Sequence, residues 1–471
     1  MNPINRLRVA IVGTGPSGLT LAYYLKSLGL ESVHLFEARE EIGGQSVTHD
    51  IDGFPVEMGT VYLTSGYILA KQIAREVGCP AKILPPATVL NEQGESIRPS
   101  PPRSSLLIRY VLAWLGWYCG GQMRAPSSPD NALSFAEWLN RKGLGELERG
   151  FVFTAGMTAQ LYGPLDAISA HSGLNWMRPS LLLTGMLERV AHIPAGFQNM
   201  WKKLAQHLGF PIRFRQRIDT VRPIRDGDRR QVELLCGGER IDEPFDHVFL
   251  ACPLDHLESH PVEGVDGSPL DRIEHPLSGA LRERYSAFDA TEVYSAGWRA
   301  TNWPKAVPSR CYLPAASSGE VGPLLTIRQY GDNAGRFVGQ LCSYALPDDR
   351  AGSAEQRLAH HRQRLDNNRE QVLSDMREIV GLEQIEIVHE HLWRYNIRYS
   401  RKQIEEGLPL FIEASQGEQH VWYTGGTLSH WNIDAITDYN HELAMRFARR
   451  IGLPFRTRLK LFRLGQRLTD F

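Results

Sequence analysis

This sequence of 471 residues has almost no net charge, no closely paired cysteines and no long apolar run. The 52 Lys and Arg nearly balance 53 Asp and Glu, so the net charge of -1 gives no electrostatic reason to expect a nucleic acid partner. The six cysteines include no Cys-x-x-Cys pair, which argues against a disulfide scaffold and a zinc ribbon. His360-His361 has no carboxylate or cysteine at metal spacing, and we expect no metal site.

The most apolar stretch, residues 106–119, is too short to cross a membrane, because a span needs about 20 apolar residues, and Arg109 interrupts it. We expect a helix there that lines the access route of an amphipathic molecule. The sequence begins MNPINRLRVAIVGTG, without the apolar region and cleavage site of a signal peptide. We therefore expect a cytoplasmic protein without a transmembrane span. For the basic tail, residues 455–471, docking on the protein and weak peripheral membrane contact both stay open.

A complete βαβ unit is predicted in the first forty residues. The apolar run RVAIV leads into a glycine turn, a helix with leucines at helical spacing, and a second strand, SVHLFE. In this context the turn suits a dinucleotide, because its glycines allow a tight turn, close approach of the backbone to a pyrophosphate and close packing of helix on strand. An acidic residue at the end of the second strand can accept hydrogen bonds from the ribose hydroxyls. The predicted binding residues are Gly13, Gly15, Pro16, Ser17, Gly18 and Glu37.

A second glycine pair, Gly43-Gly44, favours FAD over NAD, since it lets the backbone run close under another part of a long cofactor. With FEAREEIGG and VEMGT, the N-terminal region resembles the FAD domain of the flavin amine oxidase superfamily. No second strand–GxGxxG–helix unit follows residue 44, so electrons are expected from an organic substrate and not from a second dinucleotide. An NAD-dependent dehydrogenase remains a disfavoured alternative.

The segment HVWYTGGTLSHWNIDAITDYNHELAMRFARR is similar to the last FAD segment of that superfamily, apart from a missing acidic residue beside the glycine turn, where Thr427 offers a hydroxyl. The resemblance implies non-covalent FAD and a discontinuous FAD domain. The cofactor-binding residues that it adds are Ala38, Gly43, Gly44, Gln45, Gly59, Thr60, Ile218, Gly425, Gly426, Asn432, Ile433 and Asp434.

Two further blocks, residues 162–177 and 392–410, look most like the polyenoic fatty acid isomerases of the same superfamily. The implied fold is α/β, with a Rossmann-like FAD domain (parallel sheet, β-meander and helices) and a substrate domain of mixed sheet and helices. The FAD domain is expected over residues 1–95, 191–255 and 386–454, and the substrate domain over residues 96–190 and 256–385.

Flavin chemistry asks little of side chains beyond position and a dry pocket, so aromatic walls are the candidates for the catalytic site. Strand alternation predicts Trp393, Tyr395, Ile397 and Tyr399 on one face, and Trp431 lies at the last glycine turn. We take Tyr395, Trp393 and Trp431 as substrate-positioning residues for a small amphipathic organic substrate.

The expected reaction is FAD-dependent hydride abstraction from a C–H bond, with oxidation or desaturation slightly ahead and O2 as a candidate acceptor. A redox-neutral double-bond isomerase is the alternative, and a non-catalytic flavin-binding protein is a further one. The isomerases' arginine and aromatic carboxylate clamp aligns with Ala87 and Gly185, neither of which can replace it.

Overall fold

The computed structural model describes residues 7–64, 66–97, 100–186, 190–227, 229–254, 273–304, 307–333, 335–346, 354–454, 456 and 458. The predicted basic tail thus lies outside the described residues, apart from Arg456 and Arg458. The strands are β1 Val9–Val12, β2 Val33–Phe36, β3 Thr48–Ile51, β4 Phe54–Glu57, β5 Lys82–Ile83, β6 Thr88–Leu90, β7 Ser96–Ile97, β8 Ala191–His192, β9 Ile212–Arg213, β10 Thr220–Asp226, β11 Arg229–Cys236, β12 Glu239–Arg240, β13 His247–Leu250, β14 Asp289–Ala300, β15 Arg310–Tyr312, β16 Leu324–Asn333, β17 Arg336–Tyr344, β18 Ile385–Arg398 and β19 Val421–Tyr423.

The helices are α1 Pro16–Ser27, α2 Ile68–Glu76, α3 Ser104–Cys119, α4 Phe135–Arg141, α5 Gly145–Glu148, α6 Phe151–Thr158, α7 Ala170–Trp176, α8 Pro179–Met186, α9 Phe197–Leu208, α10 Ser278–Arg284, α11 Ala315–Ser318, α12 Ala354–Glu378, α13 Arg401–Glu405, α14 Leu408–Ala414, α15 Gly426–Ser429 and α16 Ile433–Arg450.

The predicted βαβ unit starts a five-stranded parallel sheet in the order β19-β13-β1-β2-β9. All four residues of β1 are buried, as expected for a central strand covered on both faces. Helices α1, α9 and α16 cover one face in a shared apolar core. A three-stranded antiparallel meander, β10-β11-β12, covers part of the other face.

A seven-stranded mixed sheet, in the order β18-β14-β17-β16-β15-β6-β7, forms the second half of the fold. Helices α3 to α8 contribute a separate apolar cluster that includes Tyr110, Phe135 and Trp138. The parallel sheet, the meander and the mixed sheet together confirm the predicted fold class.

The predicted domain bounds do not follow the strands at two places. β18 was expected in the FAD domain, but it pairs with β14 over most of its length within the mixed sheet. β6 was also expected there, and it pairs with β15 of the mixed sheet. Backbone hydrogen bonds thus place both strands in the mixed sheet, while the predicted bounds at residues 95 and 386 stay predictions. The two-domain division itself stays a prediction.

Candidate active site

A central cavity of about 1170 Å³ is lined both by the loop after β1 and by residues of the mixed sheet. Sites for one drug-sized ligand measure about 300–1,000 Å³, so this volume leaves room for an extended cofactor together with a small substrate. Fifteen of the eighteen predicted cofactor-binding residues line it: Gly13, Gly15, Pro16, Ser17, Glu37, Ala38, Gly44, Gln45, Gly59, Thr60, Ile218, Gly425, Gly426, Asn432 and Ile433.

The loop between β1 and α1 presents a helix N-terminus to the cavity. Gly15 is extended, Pro16 begins α1, and no side chain caps the helix. The first N–H groups of a helix have no partner within the helix, and they carry its positive dipole end, so this terminus suits a phosphate. Gly18 does not line the cavity. A Cβ there would lie 1.9 Å from the Gly13 carbonyl oxygen, so its absence allows α1 to pack on the strand.

The second glycine pair lies against the first loop. A Cβ on Gly44, whose φ is +57°, would stand 3.0 Å from the Cα of Gly15. The Gly43 N–H donates to the Thr14 carbonyl oxygen at 3.3 Å. Gly43 itself is not among the lining residues, and its φ of +134° serves the turn toward Ser46. Two backbone segments without side chains therefore border the same stretch of cavity.

Glu37 follows β2 and faces the cavity with its carboxylate already hydrogen bonded. One oxygen accepts from the Thr14 N–H at 2.9 Å and the Thr14 hydroxyl at 2.6 Å, and the other accepts from the Arg39 N–H at 3.0 Å. Each carboxylate oxygen accepts more than one hydrogen bond, so capacity remains for a ligand hydroxyl. The sequence reasoning missed Thr14 and Arg39, although both lie within quoted motifs; the Arg39 guanidinium donates to the Gly44 carbonyl oxygen at 2.9 Å.

The segment after β19 brings a second helix N-terminus to the cavity. Gly425, with φ of +129°, and Gly426 form the turn, and both line the cavity. The Asn432 side chain caps α16 by accepting from the Ala435 N–H at 2.7 Å, and Ile433 lines the cavity beside it.

Asp434, which was predicted to lie near the flavin, is the third predicted cofactor residue that does not line the cavity, and its role stays a prediction. It lies one residue further along α16 than Ile433, and the charges of Arg178 and Lys71 act on its carboxyl. Burial and the neighbouring Asp438 raise the pKa of its carboxyl. Thr427 likewise does not line the central cavity; it borders a second, small cavity, and its hydroxyl has no hydrogen-bond partner among the described residues.

All three predicted substrate-positioning aromatics line the central cavity. The Trp393 indole donates to the Met58 carbonyl oxygen at 2.8 Å, and the Trp431 indole donates to the Ile397 carbonyl oxygen. The rings of Tyr395 and Trp431 lie 6.3 Å apart between centroids. Burial raises the pKa of Tyr395 to about 12, so its phenol is neutral at physiological pH. The indole rings of Trp393 and Trp431 are thus each held by a hydrogen bond to a backbone carbonyl.

The predicted single aromatic face of β18 is interrupted. Asn396 has a φ of +48°, and the pairing register with β14 shifts beside it. Trp393 and Tyr395 consequently join one apolar cluster, whereas Ile397 and Tyr399 join another. Strict alternation fails here because the irregularity reverses the side-chain direction.

Arg328 of β16 is a lining residue that the sequence reasoning did not single out. Its side chain is 8% exposed, and its guanidinium donates to the Gln340 side-chain oxygen at 3.2 Å. The Gln340 amide in turn donates to the Ser295 hydroxyl at 3.1 Å. The guanidinium carbon stands 5.4 Å from the centroid of the Tyr62 ring. A positive charge is therefore held in the wall of the cavity.

Helix α3 does not contribute to the lining, contrary to its predicted place on the access route. One side, with Tyr110 and Trp114, is buried, whereas Ile108, Leu112 and Leu115 are exposed. Across the described ranges no helix has the length and apolar character of a membrane span, and no cluster of three or more potential ligands could hold a metal ion.

Comparison with known proteins identifies the family. The sequence model described as flavin containing amine oxidoreductase matches residues 16–404, most of the chain. The chain belongs to this family. Among its curated relatives, AofH of Mycobacterium tuberculosis, which bears the name of a flavin-containing monoamine oxidase, is 26% identical over 328 residues, or 64% of this chain and 68% of the relative.

Solved structures of similar fold include a fatty acid isomerase from P. acnes that produces CLA, with a TM-score of 0.73, 19% identity and coverage of 94% of this chain and 99% of that one. Cyclohexylamine oxidase from Brevibacterium oxydans has a TM-score of 0.59, 16% identity and the same coverage. At these identities the likeness concerns the fold. The resemblances to the superfamily and, in fold, to a fatty acid isomerase are confirmed.

Family membership makes this chain a flavin-dependent oxidoreductase of the amine oxidase type that acts on a small molecule. The residues fit such a cofactor, since Gly13, Gly15 and Gly44 line the cavity without side chains, so a long ligand can approach the protein backbone closely there. Two helix N-termini border the same cavity.

Proposed function

We propose that this protein binds FAD non-covalently in the central cavity and removes a hydride from a C–H bond of a small amphipathic substrate, oxidising or desaturating it. The observation that most strongly supports this proposal is that the glycine segments after β1 and the aromatic wall of Tyr395 and Trp431 line one continuous cavity. Bound flavin supplies the hydride acceptor, while the protein supplies position and a dry environment.

Each part of the cavity then has an assigned task. The N-terminus of α1 and the loop from Gly13 to Ser17 hold the pyrophosphate, and Glu37 accepts from the adenosine ribose. The turn at Gly425 and the N-terminus of α16 hold the flavin end, where a positive helix terminus stabilises negative charge. Ile218 lies between the strands β9 and β10 and borders the adenine.

The thiols in the cavity wall support non-covalent binding. Cys252 and Cys342 both line the cavity, and burial raises the pKa of each, to about 12 for Cys252. Both thiols therefore stay protonated at neutral pH and are poor nucleophiles. Heat-precipitated protein should release its yellow colour to the supernatant, and colour retained in the pellet contradicts the assignment.

The aromatic wall positions the substrate and excludes water. Backbone acceptors fix the indoles of Trp393 and Trp431, and the neutral phenol of Tyr395 adds a polar point to an otherwise apolar surface. Tyr162 supports this wall, because its hydroxyl donates to the Trp431 carbonyl oxygen at 2.8 Å. The hydride passes to the flavin with its electron pair, and the substrate then completes its oxidation or desaturation by releasing one proton to solvent, so the hydride step itself needs no acid or base in this wall.

The deciding experiment follows a deuterium label. A substrate deuterated at the reacting carbon is turned over in air, and peroxide and product mass are measured. Loss of the label with stoichiometric peroxide supports oxidation with O2 as acceptor. Deuterium retained at a new carbon without peroxide establishes the isomerase alternative instead. If no candidate substrate bleaches the flavin under anaerobic conditions and none is converted to a product of altered mass or label position, the non-catalytic alternative is favoured.

We further propose a cytoplasmic location, because all six cysteines are free, as suits a reducing compartment. Fractionation of cells with an antibody to the protein tests this, and recovery outside the cytoplasm contradicts it.

A further inference from the structure

Arg328 is a buried cation without a carboxylate partner among the described residues. Its side chain is 8% exposed, and its one hydrogen bond, to Gln340, uses one of five N–H donors. The facing residue of the neighbouring strand is another arginine, Arg310, and the residue across on β17 is Gln340. Burying a guanidinium without a counter-charge costs desolvation free energy. Because Arg328 lies in a cavity wall, a ligand bound in the cavity could supply that counter-charge.

The acidic side chains of the cavity do not supply that partner. Each of the four carboxylates that line it is hydrogen bonded to another residue: Glu37 to Thr14, Glu40 to Arg215, Glu41 to Lys202 and Glu390 to Arg369. Arg328 itself forms no ion pair within the described ranges. The cavity thus offers a cation that lacks a counter-charge, and it offers no carboxylate that lacks a partner.

The position of Arg328 is on the substrate side of the cavity. Its charge acts on the phenol of Tyr395, where it opposes the larger effect of burial on that pKa, and it stands over the Tyr62 ring. The phosphate-binding loop after β1 lies on the other sheet. Gln340 and Ser295 orient the guanidinium through consecutive hydrogen bonds at 3.2 and 3.1 Å.

We propose that the substrate carries a carboxylate, and that Arg328 is the residue that binds it. A carboxylate pairs with a guanidinium through two parallel hydrogen bonds and removes the unmet cost of the buried charge. A protonated amine at this point would instead meet a like charge, although amines are the substrates that several relatives are named for. This inference rests on the proposed function, since it names the substrate class for the same cavity.

The test uses the flavin-loaded protein and three probes of equal chain length: decanoate, decanamide and decylamine. Binding is followed by perturbation of the flavin absorbance spectrum. We expect decanoate to bind at least 10-fold more tightly than the other two. Arg328→Met should weaken decanoate binding by about 10- to 100-fold, the loss of charge-assisted hydrogen bonds, and leave decanamide binding within about 2-fold. Arg328→Lys should recover part of the loss.

Arg362→Met is the matched control, because Arg362 also lines the cavity but is exposed and should change decanoate binding by less than about 2-fold. The midpoint of thermal unfolding of Arg328→Met should not fall, since the substitution removes an uncompensated buried charge. Equal binding of all three probes, tighter binding of decylamine, or an unchanged affinity in Arg328→Met overturns the inference. Absence of flavin from the purified wild type would instead defeat the proposed function.

Discussion

Replacement of Gly15 separates folding from cofactor binding more cleanly than any other change in the first loop. Gly15 has a φ of −71° and a ψ of −176°, which any residue adopts. An added Cβ would lie 3.5 Å from the Gly44 Cα, an ordinary contact. Alanine is a poorer N-cap residue than glycine, which destabilises the folded protein, but it also reduces the conformational entropy of the unfolded chain, which stabilises it. Because the two effects oppose each other, we expect Gly15→Ala to change the free energy of unfolding of the apoprotein by no more than about 1 kcal/mol.

Gly15 also lines the cavity beside the helix N-terminus that we assign to the pyrophosphate, so a bulky side chain there would compete with the phosphates for space. Displacing the phosphates from one or two backbone N–H groups forfeits about 1.5–3 kcal/mol for each charge-assisted hydrogen bond, or roughly 10- to over 100-fold in affinity. Gly15→Leu should therefore purify colourless while its apoprotein folds normally. The assay combines the ratio of flavin to protein absorbance, calorimetric titration of apoprotein with FAD, and unfolding followed by circular dichroism.

Gly18→Ala provides the contrast, because its Cβ would stand 1.9 Å from the Gly13 carbonyl oxygen and α1 would have to shift. We expect that variant to lose stability even without cofactor. A Gly15→Leu protein that keeps one FAD per chain with wild-type affinity would refute the placement of the pyrophosphate.

Three further predictions concern the wall, a buried acid and the domain boundary. Tyr395→Ala should keep its flavin and lower turnover about 10-fold or more if the ring orients the reacting carbon, whereas Tyr395→Phe should retain most activity; unchanged kinetics in the alanine variant would return the ring to a packing role. Burial raises the pKa of Glu57 to about 8 against an ordinary value of 4.5, so this group binds its proton in the folded state while the unfolded state releases it, and its contribution to stability falls as pH rises from about 5 to 8. Glu57→Gln should flatten that decline in the unfolding midpoint, and identical pH profiles would contradict the shift. Limited proteolysis should cut first near residues 101–105, where the chain is mostly exposed as it enters α3, and resistance there would count against a boundary.

Local sequence was sufficient for the parts of the candidate site that are contiguous. The loop from Gly13 to Gly18 and the acid at Glu37 belong to one βαβ unit, in which strand, turn and helix fix each other's positions. The sequence analysis did not single out Arg328, because no motif or pattern in the neighbouring residues points to it. Its significance depends on the order of seven strands and on the absence of a carboxylate opposite it, and both are tertiary properties.

The differences from expectation have similar causes. Asp434 directly follows two residues that line the cavity, yet each residue along a helix turns by about 100°, and Asp434 does not line the cavity with them. At Asn396 a positive φ divides β18; asparagine tolerates this conformation better than most residues, but the alternating pattern around it gave no sign of a break. The membership of β6 and β18 in the mixed sheet was not foreseen, because composition and periodicity do not reveal strand pairing between distant segments.

The contact between α1 and α16 has a consequence for how the protein is made. The Asn440 amide donates to the Ser17 carbonyl oxygen at 2.7 Å and the Thr20 hydroxyl at 2.6 Å, and β19 completes the parallel sheet beside β13. A ribosome adds about 5–20 residues per second, so α1 waits roughly 20 to 80 seconds for α16 to emerge. During that interval the apolar side of α1 that α16 later covers is exposed to solvent. We therefore expect cofactor capture late in biosynthesis, because a nascent chain stalled before β19 lacks the turn at Gly425 that we assign to the flavin end and exposes an apolar surface to chaperones and proteases.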